Sequence, residues 1–341
     1  MRPYIINDLH LGTQRVTGTT QKSQEELRKY LLAMFAKCLR IADDDDLIIL
    51  GDLFDNYNIP TTDILAAYDL LADWLKHTGR HVYLVAGNHD LSKDSTKVSS
   101  FRFFAEVLAR GFPGQVTYIE GSFRLGKSIH IISHVVNQDL MDLELANVGT
   151  AKFLLVHANY DNNFAKESDH SLNISAEQIA ALDVETVVFA HEHYAREAPG
   201  VKVLGNQFPS SVSDCLGEDV KYMHRLTAAG VEKLPTWESG EYAEVDWQDP
   251  QPTDAKFVRL VGKATQAEAH QVPEFVSQYR RNSDALVVGN AIRVNGVVAA
   301  EGLDLEDMES TSLEGLRSFD VKGALKAKLS VEEWAVIESL K

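Results

Sequence analysis

Five apolar runs in this chain each end in side chains able to ligate a metal. "RPYII" leads to Asn7, Asp8 and His10; "DDLIIL" to Gly51, Asp52 and Asp55; "HVYLVA" to Asn88, His89 and Asp90; "KFLLV" to His157; and "ETVVFA" to His191 and His193. Taken as a coordination set, Asp8, His10, Asp52, Asn88, His157, His191 and His193 offer carboxylate oxygen, amide oxygen and imidazole nitrogen, without thiolate. Mixed oxygen and nitrogen ligation suits manganese, iron or zinc better than calcium or magnesium, which prefer all-oxygen shells. Seven ligands exceed what one ion with an open substrate position needs. Two ions sharing a carboxylate use them all, and such a pair, about 3.5 to 4 Å apart, clamps the attacking and leaving oxygens of a displacement at phosphorus.

Each stretch alone is a weak signal. Asp-Leu-His is common at strand-end turns, Gly-Asp-Leu-Phe-Asp reads equally as a turn before a helix N-cap, and His-Glu-His as a solvated loop. The conjunction carries the reading, because five ligand-bearing stretches follow five apolar runs of strand length.

The elements that must position these residues alternate. Helical patterns occupy 21–42, 61–79 and 99–111 between the early runs, and Thr61, Asp63 and Gly79 provide end signals for the second. Strands alternating with helices predict a layered α/β fold, β-sheets flanked by helices, in which ligands converge at the carboxyl ends of the strands. Around 235 the texture shifts to proline, acids and aromatics, "LPTWESGEYAEVDWQDPQPTD", read as a linker or irregular crossing. A compact β-α-β unit follows over 254–300, leaving 1–245 as the core domain. An acidic connector and two short amphipathic patterns fill 301–341, a tail suited either to docking on a partner or to folding back.

Composition narrows the class. The chain has 341 residues and 45% hydrophobic content, enough for a large domain with an appendage. Its apolar runs are too short to span a bilayer and its first residues do not resemble a signal peptide, so a soluble cytoplasmic protein is expected, in host cytoplasm if viral. Cys38 and Cys215, one in a helical pattern and one in a loop, suggest neither disulfides nor a zinc-thiolate site. A net charge of −17 argues against a surface that embraces nucleic acid everywhere, though not against a local basic path or a basic partner.

The ordered series Asp8-x-His10, Gly51-Asp52-x-x-Asp55, Gly87-Asn88-His89-Asp90, His157 and His191-x-His193 resembles the calcineurin-like metallophosphoesterase superfamily. The resemblance implies that Asp52 is the shared carboxylate. One ion would take Asp8, His10, Asp52 and His193, and the other Asp52, Asn88, His157 and His191. It makes His89 a proton donor or transition-state stabiliser beside the phosphate rather than a ligand, with Asp55 orienting its ring. Ala190 departs from the glycine usual before the last motif.

Within the superfamily, "DLHLG", "GDLFD", "GNHD" and "VKVLGNQFPSSVSDCLGE" are similar to SbcD-type DNA repair and recombination nucleases, including phage exonuclease subunits. That likeness implies a capping domain over 254–300, C-terminal helices that bind an SbcC-type coiled-coil ATPase, and a homodimer through the helices after the second and third motifs. The expected reaction is attack of a metal-activated water on a DNA phosphodiester, with two divalent ions, Mn2+ first and Mg2+, Fe2+ or Zn2+ as alternatives. Asn159, Tyr160, Lys166, Arg280 and Arg281 are candidate DNA contacts; loop or solvated-face roles compete for them. His134 matches no ligand position and reads as structural. The rivals are a metallophosphoesterase for a small phosphodiester or phosphoprotein, and a non-catalytic scaffold, which the complete ligand set disfavours.

Overall fold

The computed structural model describes residues 2–294 apart from 16, 93, 95, 96 and 163–171. Lys166 and the expected helices of 301–341 lie outside the described residues. Two six-stranded sheets form the core. The first runs β14-β13-β1-β2-β3-β4, with β1 Tyr4–Ile6, β2 Leu47–Leu50, β3 Val82–Val85 and β4 Val116–Ile119 all parallel, and the hairpin β13 Val220–Thr227 and β14 Gly230–Glu238 added antiparallel at β1. The second runs β11-β12-β10-β7-β6-β5 and is built on parallel β6 Ile129–Ile132, β7 Ala151–His157, β10 Val184–Ala190 and β12 Val201–Val203. Its edges are the antiparallel β5 Ser122–Leu125 and β11 Arg196–Ala198. A short parallel pair, β8 Asn159–Tyr160 and β9 Asn173–Ile174, lies just beyond β7.

The layers follow from strand parity. Ile5, Ile48, Leu50, Tyr83 and Val85 of the first sheet meet Ile129, Ile131, Phe153, Leu155 and Val188 of the second in one apolar layer. Their neighbours Tyr4, Ile6, Leu47, Ile49, Val82 and Leu84 face the helices α1 Gln21–Ile41, α2 Thr61–Thr78 and α3 Ser100–Gly111. The outer face of the second sheet buries Leu154, Val156, Val187 and Phe189 against Met141 and Leu145 of α4 Gln138–Ala146, with Ile179 of α5 Ala176–Ala180 alongside. Strands covered on both faces read as continuous apolar runs, which is why they are visible in the sequence.

Helix ends match their chemistry unevenly. Thr20 and Ser23 form a reciprocal capping box before α1, and Ser99 caps α3. Gly79 closes α2 in the left-handed conformation at φ 65, but Pro60 precedes that helix and no side chain caps its start. No helix among the described residues is long and apolar enough to cross a membrane.

The small unit has β16 Phe257–Val261, α6 Val272–Asn282 and β18 Val287–Asn290, the two strands parallel. Two short strands, β17 Lys263–Ala264 and β19 Arg293–Val294, pair beside it. The supposed linker is largely ordered strand: β14 continues to Glu238, and β15 Tyr242–Asp246 pairs in parallel with β16. That segment, read as part of 1–245, is instead an edge strand of the small unit's sheet, because Ala243 and Val245 alternate inward toward its own apolar cluster. The unit docks on the core through Phe257, Leu286 and Val287, and through Val288 N donating to Gly18 O at 2.8 Å.

His224, opposite Ile5 on β13, is 2% exposed and its Nδ1 has no hydrogen-bond partner. Burial, then the positive charge of Lys233, pulls its pKa down to about 3. A histidine near 6.5 in the unfolded chain therefore takes up a proton on unfolding at acid pH. Stability from this residue is complete above about 6.5 and is lost as pH falls toward 3. Between pH 7.5 and 4.5 the native protein should lose about 2–3 kcal/mol more than His224→Leu; equal losses in urea titrations at the two pH values would refute this.

Candidate metal centre

The ligand-bearing turns lie at the carboxyl ends of β1, β2, β3, β7 and β10, where the two sheets meet. They are tied to one another through backbone: Asp8 N donates to Gly51 O at 3.1 Å, Leu9 N to Asp52 O at 2.9 Å and His10 N to Asp52 O at 3.1 Å. Asp8, His10, Asp52 and His191 take positive φ values of 50, 48, 50 and 96. The left-handed region costs a non-glycine residue about 1–2 kcal/mol, and such strain collects where a site dictates geometry.

The side chains converge in three overlapping groups, Asp8 with His10 and His193, Asp52 with His157 and His191, and His10 with Asp52 and His89, ligand atoms within 4.8 Å of one another in each. His10 Nε2 lies 3.0 Å from His193 Nε2. The amide oxygen of Asn88 lies 2.9 Å from both His157 Nε2 and His191 Nδ1. Asp52 Oδ2 is 3.4 Å from His157 Nε2, while its Oδ1 accepts from His89 N at 2.9 Å. Asp8 Oδ1 is buried with no hydrogen-bond partner.

This donor set fits divalent cations. A buried carboxylate oxygen without a partner and two imidazole nitrogens facing each other at 3.0 Å are poor hydrogen bonding but good ligation, and the amide oxygen beside two further rings adds a donor of the same kind. The seven expected ligands are all brought together, with Asp52 between the two histidine groups. Without cations the histidines divide unequally. Burial depresses His157, but the Asp52 carboxylate outweighs it and lifts the group to about 9, whereas burial and the charge of His157 bring His191 down to about 4. Burial would raise Asp52, yet His157, His89 and His10 hold it well below the ordinary carboxylate range.

His89 sits at the exposed mouth of the centre, its ring centroid 4.9 Å from that of His10. The contact with Asp55 differs from the expected one. His89 Nδ1 meets the backbone carbonyl of Asp55 at 2.7 Å, and the Asp55 carboxylate lies 3.3 Å from His10 Nδ1 instead. Asp90 is buried and accepts from Gly87 N at 3.0 Å and Phe54 N at 3.1 Å, holding the turn that presents Asn88 and His89. His134 packs edge-on at 6.4 Å from His157, its pKa lowered by burial to about 3.

Several contacts had no signal in the sequence. Asp214, 3% exposed, places Oδ1 2.8 Å from His193 Nδ1. Asn7 donates to Asp8 Oδ2 and to Gly205 O, and is itself held by Gln207. Tyr160 packs on Phe189 and lies under the Arg196 guanidinium. Asn159 is buried and donates to Leu172 O at 3.3 Å, which withdraws it from a surface role in DNA contact. Arg280 donates through Nε and Nη2 to Val288 O, holding its own unit together, and Arg281 Nε donates to Ser277 O.

Glycine is demanded twice. A Cβ on Gly51, at φ 85, would stand 2.1 Å from His157 Nδ1, and one on Gly87 2.1 Å from Asp52 Oδ1 and 2.3 Å from Asp52 N. Gly87→Ala should displace Asp52, destabilise the fold by about 1–3 kcal/mol and reduce the cations retained after desalting, measured by plasma mass spectrometry. Wild-type metal content would show that the turn has more room than this.

The family model for calcineurin-like phosphoesterases matches residues 1–220, a span that carries every one of these candidate ligands. The chain belongs to this family. Solved structures similar to this calcineurin-like phosphoesterase include TT1561 of Thermus thermophilus, at 12% identity over 69% of this chain and 99% of that one, TM-score 0.41. An archaeal phosphodiesterase matches at 11% identity over 69% and 99%, TM-score 0.33. The nuclease MPE of Pseudomonas putida matches at 16% identity over 68% and 87%, TM-score 0.29. No curated protein matches the sequence.

Proposed function

We propose that this phosphoesterase is a DNA nuclease of the SbcD type that uses two divalent cations, manganese by preference. The observation that carries the reading is a cleft of about 600 Å3 opening beside His89 and Asp55. Its lining includes Thr13, Gln14, Arg15 and Thr17, the stretch Asn56, Tyr57 and Asn58, and Val212, Ser213 and the small unit's Val287 and Gly289. Arg15 makes no ion pair among the described residues, and Tyr57 is exposed. A guanidinium suits a backbone phosphate and an exposed ring suits a base, a pairing that serves a polynucleotide better than a compact ester.

Asp8, His10, Asp52 and His193 would hold one cation, and Asp52, Asn88, His157 and His191 the other; cations held there would supply Lewis-acid charge against the phosphoryl oxygens. His89 stands at the same mouth. Its backbone is tied to Asp52 and its Nδ1 to Asp55 O, so Nε2 is the atom left to donate a proton to the leaving oxygen. Burial opposes its protonation, but Asp52 and the Asp55 carbonyl outweigh that and raise its pKa.

Activity on end-labelled linear duplex DNA tests the proposal, with manganese, magnesium or chelator and a small phosphodiester in parallel. Manganese-dependent nucleotide release supports it, especially if Arg15→Ala impairs DNA cleavage more than hydrolysis of the small ester. Brisk turnover of the small ester with no DNA cleavage, also in the presence of the ATPase partner, would favour the rival phosphodiesterase. Homodimer formation is proposed through α2 and α3, which pack together and leave Leu65, Phe103 and Val107 exposed. A monomer by sedimentation would remove that part. Docking of an SbcC-type ATPase on the segment 301–341 is proposed from the resemblance to SbcD-type nucleases, with which the amphipathic patterns of that segment agree.

A further inference from the structure

We propose that Asp214 is a positioning residue that holds His193 with its ring proton on Nδ1 and its bare Nε2 toward the cation cluster; the inference rests on the metal-dependent reading above. Asp214 lies outside every ligand motif, in the turn Ser213–Cys215. Its two oxygens are used differently. Oδ2 accepts from Ser210 N at 2.8 Å, Ser210 Oγ at 3.0 Å and Ser211 N at 2.9 Å, so it can serve only as an acceptor. Oδ1 is thereby aimed at His193 Nδ1, 2.8 Å away. The backbone of His193 is fixed as well: its carbonyl accepts from Asn206 N at 3.2 Å and from the buried ammonium of Lys221 at 3.4 Å, which also pairs with Glu218.

At the other edge of the ring, His193 Nε2 faces His10 Nε2 at 3.0 Å, beside Asp8. Two imidazole nitrogens so close cannot both carry hydrogen, and a nitrogen that carries one cannot ligate. A carboxylate on Nδ1 sends the proton there and leaves Nε2 bare, the arrangement by which outer groups orient metal-ligating histidines.

Asparagine is nearly isosteric, yet it should invert this tautomer. Three donors converge on the Oδ2 position, so only the amide oxygen can stand there and the NH2 group must face His193 Nδ1. Nδ1 then accepts, and the ring proton moves to Nε2, where it points at His10 Nε2.

Cation affinity of wild type and Asp214→Asn, measured by isothermal titration with Mn2+ and counted by plasma mass spectrometry, tests the inference. The expected result is two cations on the wild type and a fall of about 10–100-fold in affinity for one of them in the variant. Equal affinities in the two proteins overturn the inference while leaving the metal reading intact; a wild type that binds no cation overturns both. Should the variant fail to fold, 15N spectra of the histidine rings in the Zn2+-loaded wild type decide. A proton on His193 Nδ1 supports the proposal, and a proton on Nε2 overturns it.

Discussion

His89→Ala should lower the rate of phosphodiester hydrolysis by about 10²–10⁴-fold while leaving the bound cations in place. The magnitude is what a positioned proton donor contributes, and the selectivity follows from geometry. Asp52 meets His89 through the backbone amide, an atom that alanine keeps, so the carboxylate loses no hydrogen bond from this residue. The lost ring touches Asp55 only through a carbonyl oxygen that can turn to solvent. The deficit belongs in kcat, with KM changed little, because the proton is delivered in the transition state. Mass spectrometry of bound metal beside steady-state kinetics separates the alternatives. Wild-type turnover would remove His89 from the chemistry. Loss of a cation would make it a ligand, which its grouping with His10 and Asp52 makes a real contest.

The convergence of the candidate ligands was legible because each combines two signals, an apolar run that must be a buried strand and a polar side chain placed where that strand ends. Parallel strands covered on both faces give unbroken apolar runs, and their carboxyl ends fall on one edge. Asp8, Asp52, Asn88, His157 and His191 could therefore be assembled from order alone. The β-α-β unit was legible for the same reason, its helix ending in Asn282 between two apolar strands. Residues that act through contacts distant in sequence were not. Asp214 reaches His193 from a three-residue turn with no periodicity around it. The His89 contact runs through the Asp55 backbone, and a carbonyl leaves no residue-type signature. β15 was masked by its acids: Glu244 faces solvent and pairs with Arg259 across the strands, so its alternation looked like a polar linker. The hairpin of β13 and β14 extends the first sheet from a stretch that carries no ligand and drew no strand assignment.

Asp52→Asn should cost about 10³-fold or more in turnover, several kcal/mol of lost Lewis-acid stabilisation converted at about 1.36 kcal/mol per tenfold. Among the described residues, Asp52 is the one carboxylate grouped with histidines of both halves, His10 on one side and His157 with His191 on the other. The amide cannot fill both roles. Its oxygen is needed where Oδ1 accepts from His89 N, which turns the NH2 toward His157 Nε2, 3.4 Å from the present Oδ2. A donor then stands where two cations would share an anion, and His157 loses the charge that raises its pKa to about 9. The consequence is measurable without substrate. A ligand present at about 100 times its Kd stabilises the fold by about 2.7 kcal/mol, so Mn2+ should raise the Tm of the wild type clearly and that of Asp52→Asn far less. The chelated proteins should differ less than the loaded ones, because in the absence of cations the carboxylate is itself a buried charge whose desolvation offsets its pairing. If the variant keeps both cations and the full Tm shift, the shared-carboxylate reading fails, and the cations must be held by Asp8, Asn88 and the histidines alone.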